Sequence, residues 1–576
     1  MRWADSYDRR MTEATDTVIY PARRIVTMDP SQPVVEAVAV RDGKVLAAGS
    51  LDECRSWGPA DVDDRFRDLV LTPGMIEAHA HSLEGAFALL PYAGWFDRHR
   101  LDGGTAPGVR SYDALIELLQ QLDREMRDRG AGSDEPIVVG GFDPIYFRDE
   151  ERLTRDHLDR ASTERPIFVF HASAHLATVN SAMLALHDIT RDSTTVGVAR
   201  DVHGEPNGEL QEMPAMSLAR SALGRILRAM NDPASLEALG QICANRGITM
   251  LSDLASAGLQ RPESQEFWRA TVDRADYPAR ILQRHIAALP PGSTDWTDAA
   301  ALVDQYRLAD SDKLRTAGLK VLLDGSIQGF TAKMGWPGYY TGTDHGVWMT
   351  PPDQVLDLCR PFHERHINIH THCNGDLTID LWIDTVEQLV AEHSWLDHRH
   401  TVQHCQLTSA AQYRRMAKLG MCANIFTNHL WFWGDEHHDI TVGPERARRM
   451  EACGTAHREG VSFSIHSDAN VTPLGHLHTM WCAVNRVTPS GRVLGEAERI
   501  SPELALEAVT LGSAYQMHLD AEFGSIECGK AADFTVLGDD PLTVDPMAIR
   551  DIDVWGTVVA GRPFEAAHPA TDHPIS

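Results

Sequence analysis

The sequence has no CxxC pair, no uninterrupted apolar run of bilayer length, no G-x-G-x-x-G after a strand pattern and no G-x-x-x-x-G-K-[ST]. Each absence removes a class of function. Nine cysteines, an odd number scattered at 54, 243, 359, 373, 405, 422, 453, 482 and 528, support neither a disulfide framework nor a thiolate zinc knuckle, so a reducing, cytoplasmic setting is expected. With no apolar stretch in the opening MRWADSYDRRMTEATD, neither a signal peptide nor a membrane span is expected, and residues 1–16 read as a frayed leader. The missing glycine fingerprints argue against a nucleotide-binding sheet. Basic residues are also scarce: 53 Lys and Arg against 82 Asp and Glu leave a formal charge of −29, which disfavours nucleic acid and anionic membranes as partners.

What is present points to a large folded protein. At 576 residues the chain exceeds one ordinary domain, so a large domain with a smaller one is expected. Residues 17–50 are short β-branched runs broken by Asp-Pro, Ser-Gln-Pro and Asp-Gly turns, and residues 524–544 and 551–564 repeat that style. The two ends, 17–72 and 520–576, are therefore expected to meet in one small β domain, drawn as a β-sandwich. Between them, GITMLSDLASAG, GLKVLLDGS, INIHTHCNGD, RHTVQHCQL, GMCANIFTN and VSFSIHSDAN read as apolar strands alternating with helical stretches. That alternation predicts an α/β fold, a (β/α)8 TIM-type barrel over 73–519, with an insertion at about 86–240 near its mouth that serves as a lid.

The 28 histidines fall in short clusters: His79/His81, His370/His372 and His437/His438. Residues two apart on a strand share a face. So His79 pairs with His81, Lys320 with Asp324 (spaced four apart), His370 with His372, and His466 with Asp468, while His404 stands in TVQHCQ. All sit at the ends of apolar strands, which in a barrel is the active-site face. Unpaired, such buried groups cost several kcal/mol each by the usual order of magnitude; a divalent cation relieves that cost. Imidazole and carboxylate ligands suit Zn²⁺, as one or two ions, and also accept Mn²⁺, Fe²⁺ or Co²⁺. A metal-activated hydroxide could then attack a carbonyl, with Asp468 shuttling the proton.

In order along the chain, AVAVRDGKVLAAGS, LTPGMIEAHAH, GEPNGELQE, GLKVLLDGS, HTHCNGD, VQHCQL, SDANV and GSIECGKAADFTVL resemble the amidohydrolase superfamily, in particular the family 3 branch containing N-substituted formamide deformylases. The resemblance implies metal ligands at His79, His81, Lys320, His372, His404 and Asp468, with Asp468 and His404 also catalytic. Lys320 could bridge two metals only as a CO₂-derived carbamate, since an ammonium cannot ligate; the alternative is a lysine paired with Asp324 or with a substrate carboxylate. IHTHCNGD carries one histidine more than the family motif. His372 keeps the spacing to Gly375-Asp376, so His370 is expected one layer deeper.

The resemblance also nominates His429 as a catalytic contact holding the oxyanion, and His175 and Asn180 for the substrate pocket, helix capping being the alternative for Asn180. Trp431 and Trp433 are expected at the pocket, though three consecutive aromatics cannot all face inward. His466 stands where a small residue is usual and is expected to touch substrate or support the ligands. The implied reaction is hydrolysis of a linear C–N bond in an amide, formamide or carbamate bearing a hydrophobic or aromatic substituent. Cyclic amide or lactone opening, deamination, decarboxylation and a non-catalytic metal-binding barrel are the alternatives. The expected partner is a small amide-type molecule, and relatives of this kind suggest a homodimer.

Overall fold

The computed structural model describes residues 17–568 except 149, 231 and 343–345; the expected leader, 1–16, lies outside the described residues. Eight parallel strands make the barrel: β1 (Met75–Ala80), β2 (Ile248–Ser256), β3 (Arg280–Ile286), β4 (Leu314–Leu322), β5 (Ile369–Cys373), β6 (Thr401–His404), β7 (Cys422–Ile425) and β8 (Ser462–Ile465). They pair in chain order. The ring is completed by a bridge between Ala80 and Ala469 and by the Asp468 N–H, which donates to the His79 carbonyl at 3.1 Å. Strands buried on both faces read as near-continuous apolar runs, as parallel sheets must. Their outward side chains, among them Leu251, Ile281, Leu319, Ile369 and Val402, pack under the surrounding helices. The helix Asp376–Glu392 shows why: it buries Ile379, Trp382, Ile383, Val386 and Leu389 at three- and four-residue spacing, one apolar stripe facing the strands.

The two chain ends meet in one eight-stranded sheet. Its path runs from Arg562–Glu565 through Val554–Val559, Phe534–Leu537, Val70–Pro73 and Val18–Val26 to Val34–Arg41 and Lys44–Gly49, with Asp61–Val62 beside Val18–Val26. Its own apolar cluster includes Tyr20, Ile25, Phe66, Phe534 and Val558.

The crossover from β1 to β2 carries the insertion, a five-stranded sheet built from Ile137–Phe142, Ile167–His171, Leu176–Val179, Val198–Arg200 and Pro206–Gln211. It docks on the loop after β7: Trp433 Nε1 donates to Asp143 at 2.9 Å, the Tyr146 hydroxyl donates to the Phe432 carbonyl, and Arg148 pairs with Glu436 at 2.6 Å. These contacts set the insertion over the C-terminal ends of the strands.

At the opposite end three buried histidines form a chain. His398 Nε2 donates to the Leu419 carbonyl at 2.7 Å while its Nδ1 accepts the His400 N–H at 2.9 Å. His400 Nδ1 accepts the Ile369 N–H at 3.1 Å, so its proton lies on Nε2, 2.9 Å from His363 Nδ1; His363 Nε2 then donates to the His393 carbonyl at 2.8 Å. The partners allow one tautomer per ring.

Candidate metal centre

Strand alternation sends His79 of β1, Lys320 of β4, His370 and His372 of β5, Gln403 of β6, Asn424 of β7 and Ser464 of β8 into the barrel interior. Their side chains are buried or nearly so. The same rule would send His404 outward. It is turned inward because His404 and Cys405 adopt left-handed backbone, φ 73° and 55°, and Asp468 does the same at φ 54°. Non-glycine residues there carry strain on the order of 1–2 kcal/mol each.

Two sets of ligand atoms come together, His79/His81/Asp468 and His79/His404/His466, each within 4.8 Å. Asp468 Oδ1 lies 3.2 Å from His81 Nε2 and 3.4 Å from His79 Nε2, and Oδ2 lies 3.5 Å from His404 Nδ1. None of these has hydrogen-bond alignment, so Asp468 Oδ1, His404 Nδ1 and also His81 Nδ1 are buried without a hydrogen-bond partner. His372 joins through His404, ring nitrogens 2.8 Å apart, and Lys320 through its Nζ, 3.4 Å from His79 Nε2.

The electrostatics follow from burial. Desolvation, followed by neighbouring cationic groups, holds His79, His372 and His404 well below the ordinary imidazole range, so they are neutral. Desolvation pushes the Lys320 ammonium down to about 7. Burial alone would raise Asp468, but the approach of His81 and the nearby charges of His81, His466 and Lys320 outweigh it and hold the carboxyl below its usual value. Neutral imidazole nitrogens and one carboxylate, with lone pairs converging and no proton to share, are a donor set that fits a divalent cation.

Four supporting residues escape pattern reading. Gln403 Oε1 accepts from His79 Nδ1 at 2.6 Å and from Asn424 Nδ2 at 2.8 Å, and its Nε2 donates to His370 Nδ1 at 2.6 Å. That fixes the His79 tautomer with the Nε2 lone pair free for a ligand role. Glu77 ties β1 to β8 by accepting from the His79 N–H at 2.9 Å and the Ser467 N–H at 3.1 Å. Glu451 lies 2.8 Å from His429 Nδ1, and Glu212 lies 2.8 Å from His175 Nδ1. The only sequence signal for Glu212 is its place in GEPNGELQE.

His175 reaches the site from the insertion, its ring 5.7 Å from that of His372. Trp433 lines an aromatic chamber with Trp95, Phe96, Tyr146 and Phe432, bounded by Asn470 just past Asp468. Other expectations are corrected. Asn180 does not reach the pocket: its Oδ1 accepts from the Met183 and Ile167 N–H groups and its Nδ2 donates to the Ser162 and Arg165 carbonyls, which makes it a helix cap and strand clamp. Trp431 turns away, against Trp481 at 5.4 Å and under the Arg550 guanidinium at 4.7 Å. His466, expected to support the ligands or touch substrate, is fully buried and stacks on His79 at 4.6 Å. The alternative pairing of Lys320 with Asp324 is absent: Asp324 is taken up by the Lys333, Asn374 and Gly375 N–H groups and the Thr378 hydroxyl. Of the third histidine pair, His437 binds Gln406 and Thr441, and His438 binds Asp439; neither belongs to the centre. A cavity of about 730 Å³ runs beside Glu84 and Arg98 and is lined also by Pro473 and Leu474, a few residues past Asp468 in the chain.

A family model described as the amidohydrolase family matches residues 67–564. The chain is 26% identical over 563 residues to the N-substituted formamide deformylase of Arthrobacter pascens, covering 96% of this chain and 98% of that protein. It is 23% identical over 552 residues to the putative amidohydrolase YtcJ of Bacillus subtilis (strain 168), covering 93% and 97%. Among solved structures, an uncharacterized metal-dependent hydrolase from Pyrococcus horikoshii OT3 superposes with a TM-score of 0.68 at 18% identity, over 92% of this chain and 99% of that one. At that identity the likeness is one of fold.

Proposed function

Since the chain belongs to the amidohydrolase family, we propose that it is a metal-dependent hydrolase that cleaves a linear C–N bond in an amide, formamide or carbamate with a hydrophobic or aromatic substituent. The observation that carries this reading is the convergence of His79 and His81 with Asp468 and of His79 with His404 and His466, where Asp468 Oδ1 and His404 Nδ1 are buried without a hydrogen-bond partner. These residues, with His372 and Lys320, would hold one or two divalent ions, zinc first. Such an ion, when bound, polarises a carbonyl and makes a coordinated water acidic near neutral pH.

The chain's own groups do the rest. Asp468, kept ionised by its neighbours, accepts the proton of the attacking water and returns it to the leaving nitrogen. Burial raises the Glu451 carboxyl well above its ordinary value, so it donates to His429 Nδ1 and leaves Nε2–H as the donor for the developing oxyanion. Lys320, buried and with no described carboxylate within ion-pair distance, is suited to react with CO₂ as the free amine. The aromatic side chains beside Trp433 support contact with an apolar substituent. A reducing cytoplasm is part of this reading, supported by free cysteines that are all buried except Cys528. No described helix is long and apolar enough to cross a membrane.

The test is metal analysis beside turnover on N-acyl amines, formamides, carbamates, cyclic amides, lactones and aminopurines. Hydrolysis of a linear amide-type bond that disappears with chelation and returns with metal is expected. Stoichiometric metal with no turnover of any class would favour the non-catalytic alternative.

A further inference from the structure

The barrel floor carries a second polar cluster that the metal centre does not explain. Arg284 of β3 points into the interior and is fully buried. Its Nη1 donates to the Asn368 carbonyl at 3.3 Å, while Nε and Nη2 have no hydrogen-bond partner. No described carboxylate pairs with it, and the one charged neighbour that bears on it strongly is another cation, Arg307. The two carboxylates that line the adjoining cavity are engaged elsewhere: Asp310 accepts from the Thr316 N–H at 2.8 Å, and Asp397 binds Arg399 at 2.7 Å. Lysine or histidine so placed would lose its proton, but a guanidinium cannot.

The other groups around Arg284 are polar and neutral, and none of them supplies a negative charge. Gln403 donates to His370 Nδ1, which puts the His370 proton on Nε2, facing the Gln516 backbone. Gln516, at the end of the helix Leu511–Gln516 beneath His370, has both Nε2 and Oε1 unpartnered. The backbone makes room for this arrangement: a Cβ at Gly318, φ 136°, would fall 3.0 Å from Arg284 Nη1 and 2.1 Å from the Asn368 carbonyl. A cavity of about 330 Å³, lined by Leu282, Ala317, Asn368, Met517 and His518, opens from this layer toward solvent.

We propose that the barrel floor binds a small monovalent inorganic anion, chloride being the abundant one, on the Arg284 guanidinium. Charge-assisted N–H contacts to such an ion offset a buried cation that the chain itself leaves unbalanced. The site is separate from the metal centre and serves the folded state, not the reaction.

The experiment is diffraction at the bromine edge from wild-type crystals grown in sodium bromide, alongside thermal unfolding at constant ionic strength in gluconate, chloride and bromide. Expected are an anomalous peak within hydrogen-bonding reach of Arg284 Nε and Nη2, and a saturable rise in wild-type Tm of about 2–4 °C in halide over gluconate that is lost in Arg284→Met. Water alone at those donors overturns the proposal. So does bromide at the site with a Tm indifferent to anion identity, since that is an adventitious ion only. Where Arg284→Met yields no soluble protein, the wild-type diffraction and anion series decide.

Discussion

Replacing Gln403 with leucine tests whether the centre is assembled from the barrel interior outward. The substitution keeps the volume and removes three hydrogen bonds at once: from His79 Nδ1 at 2.6 Å, from Asn424 Nδ2 at 2.8 Å and to His370 Nδ1 at 2.6 Å. Each partner is then orphaned in a site without solvent, at about 1–3 kcal/mol apiece, so stability should fall by about 3–9 kcal/mol, a large share of the 5–15 kcal/mol usual for a domain. His79 also loses the acceptor that holds its proton on Nδ1, and comparable losses beside metal ligands lower affinity about 10–100-fold, roughly 1.4–2.7 kcal/mol. The assay is zinc competition against a chromophoric chelator, with Tm measured on metal-free and metal-loaded protein. Gln403→Glu is the companion variant, since it keeps the acceptor for His79 and Asn424 and loses the donor to His370; it should retain more affinity than Gln403→Leu. A leucine variant with unchanged metal-free Tm and zinc affinity within about twofold of wild type would refute the tautomer argument.

Asp468→Asn should abolish turnover while metal content stays near normal; substantial activity in that variant removes the proton shuttle. Trp433→Ala should weaken turnover of aryl-substituted substrates by at least about tenfold relative to small alkyl ones, a loss of apolar contact near 1.4 kcal/mol or more, whereas Trp431→Ala should lower Tm and leave that ratio unchanged; a specificity shift in the latter would contradict its packing on Trp481. The His398 imidazole, pushed down by burial to about 4, binds a proton less readily folded than unfolded, so its contribution is complete above about pH 6.5 and is lost as pH falls toward 4. Urea denaturation of His398→Gln should accordingly show a shallower loss of stability over that window, by up to about 3 kcal/mol; parallel slopes for variant and wild type would dismiss the reasoning.

The alternation of apolar strands and helices was legible, and so was the placing of His79, His81 and Asp468 at strand ends. The reason is that period-two burial and the turn residues after each strand are local properties. What holds those residues was not legible. Gln403 sits beside His404 in TVQHCQ with nothing to mark it, and strict alternation would have favoured the glutamine over the histidine as the inward residue; only the left-handed φ of His404 brings both in. Asn180 and Trp431 failed for a related reason. A motif names a residue type near a site, but the direction of the side chain was decided by long-range partners: the carbonyls of Ser162 and Arg165 for one, Trp481 and Arg550 for the other. Carboxylates such as Glu451 acquire meaning only once folding sets them beside an imidazole.

The bridge between Ala80 and Ala469 means that the ligand set spans the seam where the ring of strands closes. During synthesis His79 and His81 leave the ribosome nearly four hundred residues before Asp468, and non-local pairing of this kind forms late. A nascent chain therefore exposes an imidazole pair with little to select among metals, and discrimination begins only when the last strand docks. On the proposed metal role, loading would report that synthesis and ring closure are finished.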